Sequence, residues 1–203
     1  MSRGAVIALS IVGVFILIIL GIVGWGVSTY NKLVTYDQNV KQSWGEVETQ
    51  YQRRVDLIPN LVATVKGYAK HEASVFEEVA NARASAGRVT LNVDPKVLQN
   101  PQAFARFQQV QGELGNALTH LMAVAENYPN LKADQNFLAL QAQLEGTENR
   151  IAVARMRFNL AVQGFNTLVL RFPSALIASM TGFHNLAYFQ AAQGAATAPQ
   201  VHF

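Results

Sequence analysis

An uncharged apolar run opens this chain and constrains it more than any other feature. Between Gly4 and Asn31 there is no Asp, Glu, Lys or Arg, and residues 5–27 are mostly aliphatic. At a rise of about 1.5 Å per residue, a helix over that run reaches about 35 Å. A bilayer core is roughly 30 Å thick. The sequence therefore predicts a single-pass membrane anchor that contacts the lipid bilayer through residues 5–27.

A cleaved signal peptide is the alternative interpretation of this run. Signal peptides usually have a shorter apolar stretch, followed by a small-x-small cleavage site. Residues 25–30 offer no good site of that kind, and a chain without Cys cannot carry a lipidated Cys. Arg3 lies on one side of the run and Lys32 and Lys41 on the other, so the positive-inside rule gives nearly a tie on orientation.

The composition and the motifs argue against most kinds of catalytic, metal-binding and nucleic-acid-binding site. Without Cys there are no disulfides, thiolate metal sites or Cys nucleophiles. His71 and Glu72 begin a zinc-protease pattern, but Val75 stands where the second His is required. No phosphate-binding loop or nucleophile elbow is present, and the net charge of +3 is spread out, which argues against nucleic acid. We expect no catalytic, cofactor-binding or metal-binding residues and no cofactor.

Beyond the anchor, apolar residues recur at helical spacing. The first stripe predicts a helix that continues from the anchor to about Arg83, with a kink near Leu57 or Ile58 caused by Pro59. Residues 87–94 are predicted as a connector, with Asp94-Pro95 and Asn100-Pro101 as helix starts. Residues 128–130 and 172–174 are predicted breaks, with a short last helix to about Phe189.

Strand signals are almost absent, so the predicted fold is all-α. It consists of an amino-terminal transmembrane helix that continues into an antiparallel up-down bundle of the four-helix type. The predicted divisions are an anchor over residues 1–31, a helical bundle over 32–189 and a tail over 190–203.

Several polar residues fall inside the apolar stripes: Arg54, Glu72, Gln111 and Arg155. A buried charge is costly unless it is paired, so we expect Arg–Glu or Arg–Gln contacts between helices that fix their register. The alternatives are Arg side chains that snorkel at the edge of the bundle and a catalytic or ligand-binding role. Glu126, Glu145 and Glu148 raise the question of a carboxylate metal site. However, neither Glu145 nor Glu148 has a His three residues on, and a metal site is therefore not predicted.

The end of the chain is uncharged from Phe172 to Phe203. A helix over its apolar part either completes the bundle or presents excess apolar surface to a neighbouring subunit or the bilayer. Between the last two, the lack of cationic residues favours a subunit. We expect a homo-oligomer, with residues 172–203 as the candidate contact, and a membrane protein is a further candidate partner.

Four segments together resemble the LemA family of bacterial membrane proteins. They are RRVDLIPNLVATVKGYAKHE (53–72), AVAENYPNLKADQNFLALQAQLEGTENRIAVAR (123–155), RFNLAVQGFN (157–166) and FPSALIA (172–178). The resemblance implies a membrane helix followed by an antiparallel bundle and implies no catalytic residues. It points to these polar residues as shared: Arg53, Arg54, Asp56, Asn60, His71, Glu72, Glu126, Asn127, Tyr128, Asn136, Glu148, Asn149, Arg150, Arg155, Asn159 and Asn166. Relatives tend to carry charges after the FPSALIA-like segment, whereas residues 180–189 here have none.

These observations favour a membrane-anchored scaffold or adaptor that self-assembles in the bacterial cell membrane and has no catalytic activity. A sensor or signal transmitter with Pro59 as its flexible point is the alternative. A small-molecule binder or enzyme that uses His71, Glu72 or the Glu126–Glu148 group is the least favoured hypothesis.

Overall fold

The computed structural model describes residues 3–91 and 95–190. These residues form α-helices, one short 3-10 helix and no strand, which confirms the all-α prediction. The α-helices are α1 (Arg3–Tyr68), α2 (Ala73–Leu91), α3 (Pro101–Glu126), α4 (Pro129–Lys132), α5 (Gln135–Leu170) and α6 (Ser174–Thr181), and the 3-10 helix covers Pro95–Gln99.

The long helices form an antiparallel bundle around α1. Helix α1 packs along α5 and beside α2, and α2 packs along α3. From Leu33 onward the apolar stripe of α1 is buried, whereas its first residues, from Ile7 to Val23, expose their large apolar side chains to the surroundings. Helix α1 is the one unbroken helix in the described residues that is long and apolar enough to cross a membrane. The bundle therefore lies at one end of an exposed apolar arm.

The predicted helix from the anchor to Arg83 is wrong in its end point. Helix α1 ends at Tyr68, and α2 begins at Ala73 and returns along the bundle. Pro59 lies inside α1 and cannot donate to the carbonyl of Val55, four residues earlier. That carbonyl instead accepts a hydrogen bond from Arg83 Nε on α2 at 3.2 Å. A contact between helices thus supplies the donor that proline lacks.

The predicted connector over residues 87–94 is also wrong in part, because α2 continues to Leu91. Ala86 is fully buried, and a Cβ on Gly87 would lie 3.9 Å from Val55. The glycine therefore lies where α2 packs closely on α1 and does not break the helix. Residues 92–94, including the predicted cap Asp94, lie outside the described residues.

Two predicted boundaries are confirmed by their caps. Asn100 accepts hydrogen bonds from the backbone N–H of Gln102 and Ala103, both at 3.1 Å, at the start of α3. Helix α3 ends at Glu126, and extended Tyr128 with Pro129 then starts the short α4. These caps follow directly from local residue chemistry.

The last helix is shorter than predicted. Helix α6 ends at Thr181 and not near Phe189, because Gly182 adopts the left-handed conformation with φ of 78°. A residue in this conformation just after a helix is a common stop signal. Residues 183–190 then run without regular secondary structure along the bundle, and residues 191–203 of the predicted tail lie outside the described residues.

Candidate functional site

Arg54 is the central polar residue of the bundle and is only 4% exposed. Its Nη1 donates to Glu148 Oε1 on α5 at 3.2 Å. Its Nη2 donates to the backbone carbonyl of Gln111 on α3 at 3.0 Å and also to the Gln111 side-chain oxygen. The expected Arg–Glu and Arg–Gln contacts therefore form, and one guanidinium joins three helices.

Tyr51 lies one turn before Arg54, and the guanidinium carbon lies 5.0 Å from the centre of its ring. Burial raises the pKa of the Tyr51 hydroxyl, and the positive charges of Arg155 and Arg54 oppose that rise. The phenol therefore stays neutral at physiological pH. The group acts as a packed layer of the core and offers no ionised nucleophile.

A second polar arrangement holds residues 183–190, which we call the carboxy-terminal strap. The side-chain amide of Asn166 pairs with the backbone of Leu186, donating at 2.9 Å and accepting at 2.8 Å. The amide of Asn159 does the same with Phe189, at 3.0 and 2.9 Å. The seven residues from Asn159 to Asn166 rise about 10.5 Å along α5. Their partners, Phe189 and Leu186, are three residues apart, a distance of about 10 Å in an extended chain. The spacing of the two asparagines therefore matches the spacing of the two backbone groups that they bind.

The strap closes an aromatic cluster. Phe189 stacks on Trp44 at 6.1 Å between ring centroids and also contacts Phe104, Phe107 and Phe158. The guanidinium carbon of Arg155 lies 4.7 Å from the centre of the Phe189 ring, and Arg155 Nη2 donates to the carbonyl of Gln190 at 2.9 Å. Leu186 and Phe189 of the strap are thus part of the buried core of the bundle.

Two polar pairs tie the far end of the bundle, where α1, α4 and α5 meet. Tyr128 donates to Glu72 Oε1 at 3.2 Å, and Tyr68 donates to Asp134 Oδ2 at 2.9 Å. The hydrogen bond to Asp134 raises the pKa of Tyr68, and burial with the bond to Glu72 raises that of Tyr128. The backbone N–H of Phe137 and then the Tyr68 hydroxyl lower the pKa of Asp134, which caps α5. These two hydrogen bonds hold the end of α1 and the residues that follow it against the segment that precedes α5.

The structure does not bring the other shared polar residues together. Glu126 lies 3.9 Å from Lys132, and Arg150 donates to Gln50 and Thr147. Asn127 caps the end of α3. The remaining members are exposed: Arg53, Asp56, Asn60, His71, Asn136 and Asn149.

The described helices leave shallow clefts between them. Two of them, each about 660 Å³, lie in the groove between α3 and α5 and are open to solvent. No group of three or more His, Asp or Glu in residues 3–91 and 95–190 is placed to hold a metal ion. Glu145 and Glu148 line one cleft and Glu126 the other.

Sequence reasoning missed the strap and the role of its two asparagines. Asn159 and Asn166 are seven residues apart beside the apolar stripe of α5, and that spacing was the available signal. The strap to which they bind has no periodic pattern of apolar residues, so its local sequence does not predict its conformation.

The fold and its polar layers define a class of protein: an all-α bundle, closed by an extended strap, on an exposed apolar amino-terminal helix. A sequence model of the LemA family matches residues 43–203. The chain therefore belongs to the LemA family.

Curated relatives agree with this membership. Magnetosome protein MamQ 2 of Paramagnetospirillum magneticum is 28% identical over 94% of this chain and 74% of its own length. Magnetosome protein MamQ of Magnetospirillum gryphiswaldense is 28% identical over 79% of this chain and 64% of its own. Protein LemA of Metamycoplasma hominis is 19% identical over 80% and 69%.

Proposed function

We propose that this protein is a membrane-anchored scaffold that spans the bacterial cell membrane once and assembles with copies of itself. The observation that carries the proposal is the continuity of α1. One helix of 66 residues supplies both the exposed apolar arm and the buried centre of the bundle. A bundle built on such a helix has a fixed direction relative to the anchor.

The contact between Arg83 and the carbonyl of Val55 supports a rigid rod over a flexible transmitter. A proline inside a helix leaves a carbonyl without its backbone donor and is a common cause of kinks. Here the guanidinium fills that gap from a neighbouring helix at 3.2 Å. The turn of α1 that contains Pro59 is thereby held against α2, which argues against Pro59 as a flexible point.

The chemistry of the interior supports a structural role. The polar side chains of the interior bind other parts of the bundle. Arg54 joins α1 to α5, and Asn159 and Asn166 bind the strap. The names of the magnetosome relatives refer to a cellular structure and not to a reaction, which is compatible with such a role here.

An exposed apolar stripe on α5 is the surface we assign to self-assembly. Val153, Met156 and Leu160 are 43%, 55% and 60% exposed and recur at three and four residues, so they share one face. Membrane anchors orient all copies alike, which puts the stripe of each copy at the same height. The strap is already packed in the core, which makes it unsuitable as the contact.

The test is the mass of the full-length protein in mild detergent. We expect a uniform oligomer that Met156→Glu with Leu160→Glu reduces to smaller species, because a desolvated carboxylate opposes apolar contact. Thr119→Glu, on the exposed face of α3, is the control and is expected to leave the mass unchanged. A monomeric wild-type protein would contradict self-assembly.

A further inference from the structure

Helix α6 has two faces of opposite character, and its apolar outer face has no partner in the described residues. Ser174 and Ala178 are buried against the bundle, at 8% and 1% exposure. Leu176 and Met180 follow two residues later, about 200° around a helix, and are 55% and 82% exposed. The outer face therefore points away from the bundle.

The contacts between α1 and the segment that contains α6 show how far along α1 this helix lies. Ile177 of α6 packs over Gly26, where a Cβ would lie 3.7 Å from its Cδ1. Tyr30 contacts Phe183, with ring centroids 6.2 Å apart. Gly26 and Tyr30 are at the end of the exposed apolar arm, so α6 lies level with the point where the arm enters the bundle.

The direction of α6 suits a surface at that level. The chain bends by 98° between α5 and α6, and α5 packs along α1. Helix α6 is thus nearly perpendicular to the anchor and parallel to the plane that the anchor would cross. Helices that lie in a bilayer interface place their apolar face toward the acyl chains in this orientation.

The surrounding residues have the composition of a membrane interface. Trp25 and Tyr30 are about two-fifths exposed at the end of the arm, where interfacial aromatic residues occur. Phe172 at the α5–α6 corner is 77% exposed. In the sequence, Lys32 and Arg171 flank these segments, and residues 172–190 contain no Asp, Glu, Lys or Arg that would resist insertion.

We propose that α6 and the preceding corner form a second membrane contact, in which Phe172, Leu176 and Met180 insert into the leaflet nearest the bundle. The anchor and α6 then hold the bundle at two points and fix its tilt. The occupant of the apolar face is the lipid bilayer and not a second copy. Sequence reasoning favoured a subunit because this segment lacks cations, but its orientation supplies the stronger argument.

Single-cysteine variants of the full-length chain test this directly, since the protein has no native Cys. Nitroxide labels would be placed at Phe172→Cys and Met180→Cys, with Ile18→Cys as the control within α1 and Thr119→Cys as the control in water. The protein is reconstituted in phosphatidylcholine vesicles, and each label is exposed to oxygen and to a polar nickel complex. We expect oxygen to dominate at residues 18, 172 and 180 and nickel to dominate at residue 119.

Two results overturn the inference. The first is nickel accessibility at residues 172 and 180 equal to that at residue 119; with residue 18 still lipid-exposed, this result leaves the anchor intact. If residue 18 is also aqueous, the anchor and the proposed function fail as well. The second is spin–spin broadening at residue 180 with no preference for oxygen, which would assign this face to contacts between copies.

Discussion

Asn166 and Leu186 form a reciprocal pair in which one side-chain amide replaces a neighbouring strand. The amide nitrogen donates to the Leu186 carbonyl, and the amide oxygen accepts from the Leu186 N–H. Both bonds are buried, and the pair is 20 residues apart in the sequence. Because an unpaired buried backbone group is costly, this asparagine allows an extended chain to lie against a helix.

Asn166→Asp should therefore release the strap. The substitution keeps the shape but replaces the donor with an acceptor, which then faces the Leu186 carbonyl. We expect the free energy of unfolding to fall by about 1–3 kcal/mol and the amides of Leu186 and Phe189 to lose protection in hydrogen exchange. Asn149→Asp, at an exposed position of α5, is the control; equal losses in the two variants would refute a specific pairing.

Arg54→Met should destabilise the bundle more than the same change at an exposed arginine. It removes the buried guanidinium that donates to both Gln111 oxygens, while Glu148, which is 45% exposed, can turn to water. We expect a loss of about 1–3 kcal/mol, measured by thermal unfolding of the full-length protein in detergent. Arg157→Met removes an exposed contact with Glu46 at 3.5 Å and is expected to cost less than about 1 kcal/mol. Similar losses would show that burial of Arg54 adds nothing.

Gly164 permits the close approach of α5 to Tyr36 of α1. A Cβ there would lie 2.8 Å from the Tyr36 ring, so Gly164→Ala sets a clash of about 1–3 kcal/mol against a gain in helix propensity of about 1 kcal/mol. In a Tyr36→Ala background the clash is absent, and Gly164→Ala is expected to stabilise. Gly112→Ala, with open space around it, should stabilise in both backgrounds. If Gly164→Ala acts identically with and without Tyr36, the contact does not limit packing.

Because the pKa of Asp134 is lowered in the folded protein, we expect the far end of the bundle to loosen in acid. Its pKa in the folded state is below the ordinary 3.8, because the N–H of Phe137 and the hydroxyl of Tyr68 favour the carboxylate. A lowered folded-state pKa gives stability that is complete above the unfolded value and is lost as the pH falls through the folded value. We expect hydrogen-exchange protection at the start of α5 to fall below about pH 4. Asp134→Asn should remove this dependence; an unchanged profile would locate the titration elsewhere.

Local pattern predicted much of this fold. The periodicity of apolar residues gave the helical class and the course of α3 and α5, and Asn100 with Pro101 gave a boundary, because caps and stripes are encoded within a few residues. Helix propensity and periodicity could not place the end of α1 at Tyr68, since the stripe continues into α2. They also could not show that Gly87 packs against Val55.

The sequence by itself determined an apolar arm, a set of amphipathic helices and the polar residues within their stripes. Only the tertiary structure decided which of these residues meet: Arg54 with Glu148, 94 positions apart, and Asn159 with Phe189, 30 positions apart. It also decided that residues 183–190 run along the bundle without regular secondary structure and that α6 lies across the base of the bundle. The physical reason is that local patterns fix backbone periodicity, whereas the partners of buried polar groups depend on which helices pack together.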